Sequence, residues 1–207
     1  MTAPTPQHSR DGPHKTMKLI SIQLGIARRV RIGERSVLTA FHKQATESNT
    51  VVMPLGLMGD EQADLSIHGG LEKAVYAYPS EHFGFWQNAR RQAEVSPIDD
   101  SLPPGSLGEN LTLQGLLETQ VWVGDVLRFP ACELRVTLPR EPCGKLNAAM
   151  GFAGASRLMA HSGFCGFYLA VETGGTIQAG QSCELIAGRR SVSIVQLFAA
   201  KKSKHLR

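Results

Sequence analysis

One cysteine of the four stands in a setting suited to chemistry. Cys143 lies in Leu138-Pro-Arg-Glu-Pro-Cys-Gly-Lys-Leu, directly after a strand-like run and at the start of a short helical one, flanked by Arg140 and Lys145. Positive neighbours and a helix N-terminus both favour thiolate over thiol, the form needed to attack an electrophile or ligate a metal. Pro139 and Pro142 stiffen the approach. Cys132, Cys165 and Cys183 sit instead in the apolar runs ACELRV, FCGFYLAV and SCELI, where cysteine behaves as a small buried hydrophobe. There is no Cys-x-x-Cys pair, so neither a disulfide framework nor a zinc knuckle is indicated.

Two further clusters carry polar groups in the company of glycine. In the first, His68-Gly69-Gly70 precedes Lys73; the glycines allow positive φ and close approach of a ligand to the backbone, and the Lys73 ammonium suits a phosphate. In the second, Gly108-Glu109-Asn110 places a carboxylate and an amide between a Pro/Gly-rich loop and a strand. Glu109 there suits proton transfer or the orienting of another group, and Asn110 suits the edge of a heterocycle. Taken singly, each cluster reads equally well as a turn histidine, a solvated lysine and solvated loop polar groups. A Walker loop, a dinucleotide-binding glycine fingerprint, His-Glu-x-x-His and Gly-x-Ser-x-Gly are all missing from the sequence. A Cys-His hydrolase pairing Cys143 with His68 stays open as a competing reading.

The elements that must position these residues are mostly strands. KLISIQLG, SVLTAFHK, KAVYAYP, NLTL, QVWVG, DVLRF, CELRVTL, FCGFYLAVE and SCELIA are short and rich in β-branched or aromatic residues, and glycine and proline turns divide them, which predicts a mostly-β barrel. Helices are predicted over residues 81–94, capped by Ser80 and burying Phe83, Trp86 and Ala93, over residues 145–150, and over about residues 154–161. Two segments echo each other, Val121-Trp-Val-Gly-Asp-Val-Leu and Ile177-Gln-Ala-Gly-Gln-Ser-Cys, as recurrent hairpin chemistry.

With 207 residues and 42% hydrophobic content, one core is expected. Residues 1–16 read as a disordered tail, 17–190 as the domain, and 191–207 as a helix and basic tail with nothing after it to pack on, a truncated helical appendage. The formal charge of +4 lies at the ends: the first sixteen residues sum to +1 and the last seven to +4, leaving the body at −1. Basic ends of this kind are solvated tails, so no nucleic-acid role is expected. No run is long and apolar enough for a membrane helix and no signal peptide is seen, so a cytoplasmic protein is expected.

In this order and at these separations, GLMGDEQADLSIHGGLEKAVYAYPSEHFGFW, GSLGENLTLQGL, VWVGDVLRF and LPREPCGKLNAAMG resemble the MOSC domain, named for the C-terminal domain of molybdenum-cofactor sulfurase, in its stand-alone bacterial branch. The resemblance spans roughly residues 17–190. It implies a β-barrel whose loops gather around a molybdenum cofactor (molybdopterin), with Cys143 as the metal ligand, His68, Gly69, Gly70, Lys73, Glu109, Asn110 and Arg140 lining the pocket, and Arg140, Lys73 and Lys145 facing the cofactor phosphate. A soft thiolate suits a metal already held by sulfur.

Members of the branch resemble reductases of N-hydroxylated compounds such as hydroxylamino purines and amidoximes, which implies a small-molecule substrate and a separate electron-donor reductase as partner. Protein made without cofactor biosynthesis is expected to lack the cofactor. The resemblance also admits a non-catalytic cofactor or sulfur carrier. After SVLTAF the chain reads HKQATESNT, where relatives carry a Lys-x-Pro-Val type segment, so the loop near the pocket departs from the family pattern.

Overall fold

The computed structural model describes residues 17–63, 69–95 and 102–205, with side chains through Lys201. His68 and the tail of residues 1–16 lie outside them. Thirteen strands are described: β1 (Met17–Leu24), β2 (Arg28–Ile32), β3 (Arg35–Thr39), β4 (Gln44–Thr46), β5 (Thr50–Met53), β6 (Gly56–Leu57), β7 (Val75–Pro79), β8 (Leu111–Gln114), β9 (Val126–Arg128), β10 (Glu133–Pro139), β11 (Phe167–Thr173), β12 (Gly175–Ile177) and β13 (Ser182–Ile186). The α-helices are α1 (Phe83–Gln92), α2 (Gly144–Met150), α3 (Ala155–Ser162) and α4 (Ile194–His205). None is long and apolar enough to cross a membrane.

Seven strands close into a barrel in the order β13-β9-β10-β11-β7-β8-β1, with β1 returning to β13 through Met17↔Cys183 and Lys18↔Ser182. β4 extends the sheet from the far end of β1, β5 joins β6 and β12 in a small second sheet, and β2 and β3 form a hairpin of their own. Within the barrel only β7 and β8 run parallel. β7 is buried along its whole length, because the barrel core fills one face and α1 covers the other. Trp86 of α1 is fully buried and donates its indole N–H to Tyr78 Oη at 2.6 Å. Burying a side chain of this size stabilises by about 1.5–3 kcal/mol.

The local chemistry departs from the sequence pattern in three places. Residues 80–82 form a 3-10 turn and α1 begins at Phe83; Ser80 caps nothing, and Ala89 rather than the exposed Ala93 completes the buried face. Val121–Val123 makes no ladder, only an isolated bridge from Trp122 to Ser193. Helix α4 does have something to pack on: Ile194 and Phe198 are buried in the same core as the barrel strands.

The echo noted in the sequence is a repeated turn. Trp122 N–H bonds the Asp125 carboxylate at 3.1 Å and Gln178 N–H bonds the Gln181 side-chain carbonyl at 3.1 Å. In each turn the third residue is a glycine at φ 89°, Gly124 and Gly180, a conformation that L side chains rarely adopt. The two turns lead into β9 and β13, which pair with each other.

Candidate functional site

Strand β10 ends at Pro139, and the next four residues carry the chain to Cys143, the residue before α2. Cys143 is half-buried, whereas the other three cysteines are fully buried. Burial pushes the Cys132 thiol up to about 11 and the Cys183 thiol up to about 12, so these two are inert packing groups. Cys143 lines an open-mouthed cavity of about 90 Å³ together with Arg140, Lys145, Lys73, Lys43, Asn110, Asp60, Gln62, Phe41, Tyr76 and Tyr168.

Arg140 is the most constrained of these. It is 5% exposed, and its guanidinium reaches Cys143 Sγ at 3.8 Å and Met159 Sδ at 3.5 Å. It also lies over the rings of Phe41 and Tyr76 at 5.3 and 5.2 Å. Burial raises the Tyr76 phenol well above its ordinary range and raises Tyr168 too, so both rings stay neutral. Among the described residues no carboxylate pairs with Arg140. A buried cation without a counter-charge is costly, and an anion entering the cavity relieves that cost.

The remaining positive groups are held differently. Lys43 is ion-paired with Asp60, both side chains almost fully buried. Burial pulls the Lys43 ammonium below its ordinary range and Asp60 beside it pulls back. Asp60 also accepts Gly25 N–H at 2.7 Å and Asn110 Nδ2 at 2.8 Å. Lys73 has its Nζ 5.9 Å from the centre of the Tyr168 ring.

Five of the residues named from the sequence therefore meet in one cavity: Cys143, Arg140, Lys145, Lys73 and Asn110. Asn110 is already committed to protein, since its amide also bonds Tyr76 N–H and Gln23 O at 3.1 and 3.2 Å. Glu109 is not part of the cavity wall but lies behind it, close enough to act on the Lys43 ammonium. Its carboxylate accepts Gly105 N–H at 2.6 Å, Leu107 N–H at 3.0 Å and the Thr112 hydroxyl at 3.1 Å, so it braces its own loop. Burial nevertheless raises its pKa to about 6. Gly69 and Gly70 do not line the cavity; Gly70, at φ 88°, is held by Gln62 through its N–H at 2.9 Å.

Lys43, Phe41, Tyr76 and Tyr168 line the cavity without having been signalled. Each sits in an ordinary strand-like run, where its type argues for packing or solvation. The one signal that bore on them was the HKQATESNT departure, which contains Lys43.

Whether a molybdenum cofactor fits can be judged from the side chains. Among the described residues no three His, Cys, Asp or Glu side chains converge on a metal position. A metal at Cys143 would have to bring most of its ligands with it, as a metal held by a pterin dithiolene does, and the buried Arg140 guanidinium, without a carboxylate partner among the described residues, suits the anionic part of such a ligand. The residues fit the group.

Residues 64–184 match the model of the MOSC domain. The chain is 32% identical over 177 residues to the uncharacterized protein YflK of Bacillus subtilis, covering 85% of this chain and 76% of that one. It is 30% identical over 186 residues to a protein of Gibberella moniliformis named "Reductase", covering 89% of this chain and 30% of that one. The crystal structure of YiiM from Geobacillus stearothermophilus superposes with a TM-score of 0.71 at 27% identity, over 92% of this chain and 86% of that one. The barrel, the cavity around Cys143 and these matches agree: the chain belongs to the MOSC domain family.

Proposed function

We propose that this protein binds the molybdenum cofactor in the cavity around Cys143 and with it reduces N-hydroxylated compounds. The observation that carries the reading is Arg140, a buried guanidinium with no described carboxylate partner, 3.8 Å from the half-buried Cys143 in the cavity wall. The relative named "Reductase" supports the oxidoreductase class.

In this reading Cys143 Sγ ligates the metal, and Arg140, with Lys145 and Lys73, meets the phosphate-bearing end of the pterin. When bound, the cofactor supplies two-electron chemistry that removes the oxygen of an N–O bond. The protein has to supply the rest. Conversion of N–OH to N–H and water takes two protons, and Lys43 Nζ is a protonated donor in the cavity wall, kept there by Asp60. Phe41, Tyr76 and Tyr168 provide flat apolar faces against which a planar base can lie. Asn110 and Asp60 hold the wall in register through their bonds to Tyr76, Gln23 and Gly25. Electrons come from a separate donor protein.

The test is to express the chain in a host that makes the cofactor, measure molybdenum and pterin per chain, and assay reduction of a hydroxylaminopurine with reduced methyl viologen. Stoichiometric molybdenum with turnover supports the reductase. Molybdenum without turnover replaces it with a carrier, and absence of both metal and turnover overturns the reading.

A further inference from the structure

The site described above leaves the β2–β3 hairpin without a role. Residues 28–39 contain Arg28, Arg29, Arg31 and Arg35 against a single acid, Glu34, a formal +3 in a chain whose body between the two basic ends sums to −1. With the hairpin at +3 and the body at −1, the rest of the body sums to −4, so the hairpin stands out by its net charge. The hairpin belongs to neither of the other two sheets, its strands pairing only with each other. Register places Arg29 opposite Leu38 and Arg31 opposite Ser36, so these four share a face, and all four are exposed. Arg31 Nε bonds only its own turn, at Gly33 O, and among the described residues none of the four arginines has a carboxylate partner. Like charges two residues apart on one strand repel, and nothing in the packing requires them.

The hairpin is tied to the cavity at its base. Gly25 and Ala27 donate their N–H groups to Asp60 and Glu61 at 2.7 Å each. The returning strand comes so near that a Cβ on Gly25 would lie 2.6 Å from Ala40 O. Thr39, Ala40 and Phe41, where the hairpin ends, line the cavity. Arg28, at its start, lines an adjoining open cleft with His42 and Lys43.

We propose that the exposed face of this hairpin is the docking surface for an acidic electron-carrier protein, which it sets beside the mouth of the Cys143 cavity; the assignment rests on the reductase reading. Charge complementarity selects the partner. Transient electron-transfer complexes are small and steered by opposite charge, and a pair of arginines on the face of a hairpin of net +3, beside the redox site, matches an acidic carrier. The composition of the patch favours a protein over a nucleic acid. Leu38 is 44% exposed among the arginines and Ile26 is 69% exposed at the hairpin's base, a mixture of arginine and apolar surface typical of protein interfaces. No aromatic side chain stands on the hairpin for bases to stack on.

The experiment compares cofactor-loaded wild type with the double variant Arg29→Glu/Arg31→Glu, after thermal melts show the two equally folded. Binding of two acidic carriers, flavodoxin and a [2Fe–2S] ferredoxin, is measured by calorimetry at low and high salt. Turnover is followed in parallel with reduced methyl viologen and with each carrier. The expected result is that wild type binds at least one carrier in a salt-dependent way, that the variant binds it about tenfold or more weakly, and that carrier-driven kcat/KM falls in parallel while the viologen rate is unchanged. Equal carrier binding by the two proteins overturns the proposal, as does failure of wild type to bind either carrier at low salt. Salt-dependent binding of a DNA duplex that the variant loses, without carrier binding, reassigns the patch to nucleic acid. Absence of viologen turnover by wild type is the separate failure of the reductase reading, and the calorimetric comparison still decides whether the hairpin binds an acidic carrier.

Discussion

At Arg140 a positive charge has been desolvated in the folded protein before any ligand arrives. Replacing a buried, incompletely paired ion by an apolar side chain of similar length often leaves a fold as stable or more so. Arg140→Met is therefore expected to leave the melting temperature of the metal-free protein unchanged or raised, while molybdenum retained after purification falls tenfold or more. A destabilised variant with full metal content would show that the guanidinium serves packing alone. Glu109 makes the second prediction at this scale. Its folded pKa, about 6, lies above the ordinary 4.5. The folded state thus binds this proton more tightly than the unfolded chain does, so the contribution to stability is fully present below pH 4.5 and is lost as pH rises through 6. The shift corresponds to about 2 kcal/mol. Denaturant titrations at pH 4.5 and pH 7 should show wild type losing about that much more stability over the interval than Glu109→Gln, and parallel losses would show that Glu109 does not titrate in this window.

At the scale of elements, helix α4 belongs to the fold rather than hanging from it. Phe198 is 7% exposed within the main core, and Lys201 is ion-paired with Glu141, two residues before Cys143. Truncation Phe198→Ala should cost about 3 kcal/mol or more in urea unfolding, the usual range for a core phenylalanine. A cost under about 0.5 kcal/mol, the range of surface substitutions, would return the helix to an appendage. The sequence misled here because AAKKSK is polar, and only a helix's inner face has to be apolar. Strands were legible where β-branched and aromatic residues alternate, as in β1, β10 and β11. β2 was not, since RRVRI carries three arginines and neither face of it enters the core. β4, β6 and β12 are two or three residues long, too short for any period to register. In the cavity, Cys143, Arg140 and Lys145 were legible because they fall within six residues of one another, between the end of β10 and the start of α2. Lys43 and Tyr168 were not, because Lys43 stands in the connection between β3 and β4 and Tyr168 on β11, and only the tertiary fold brings that connection beside the barrel strand.

The whole molecule depends on a narrow seam. β1 meets β13 through two residue pairs, reinforced by Leu19 N–H to Gln181 O at 2.9 Å and Gly180 N–H to Leu19 O at 2.7 Å. Met17 and Leu19 on that strand are core residues. Removal of residues 1–21 is expected to abolish cooperative thermal unfolding, whereas removal of residues 1–16, a segment whose composition argues against burial, should leave the transition unchanged. A cooperative melt in the longer deletion would show that the other six strands close without the seam. The same seam has a consequence during synthesis. Met17 leaves the ribosome 166 residues ahead of its partner Cys183. At about 5–20 residues per second, that is on the order of ten to thirty seconds in which the first strand has no partner on that edge. For that interval an exposed, apolar strand is a template for pairing with other chains, so the yield of native protein in a cell should depend on how fast the message is translated and on which chaperones hold the nascent chain.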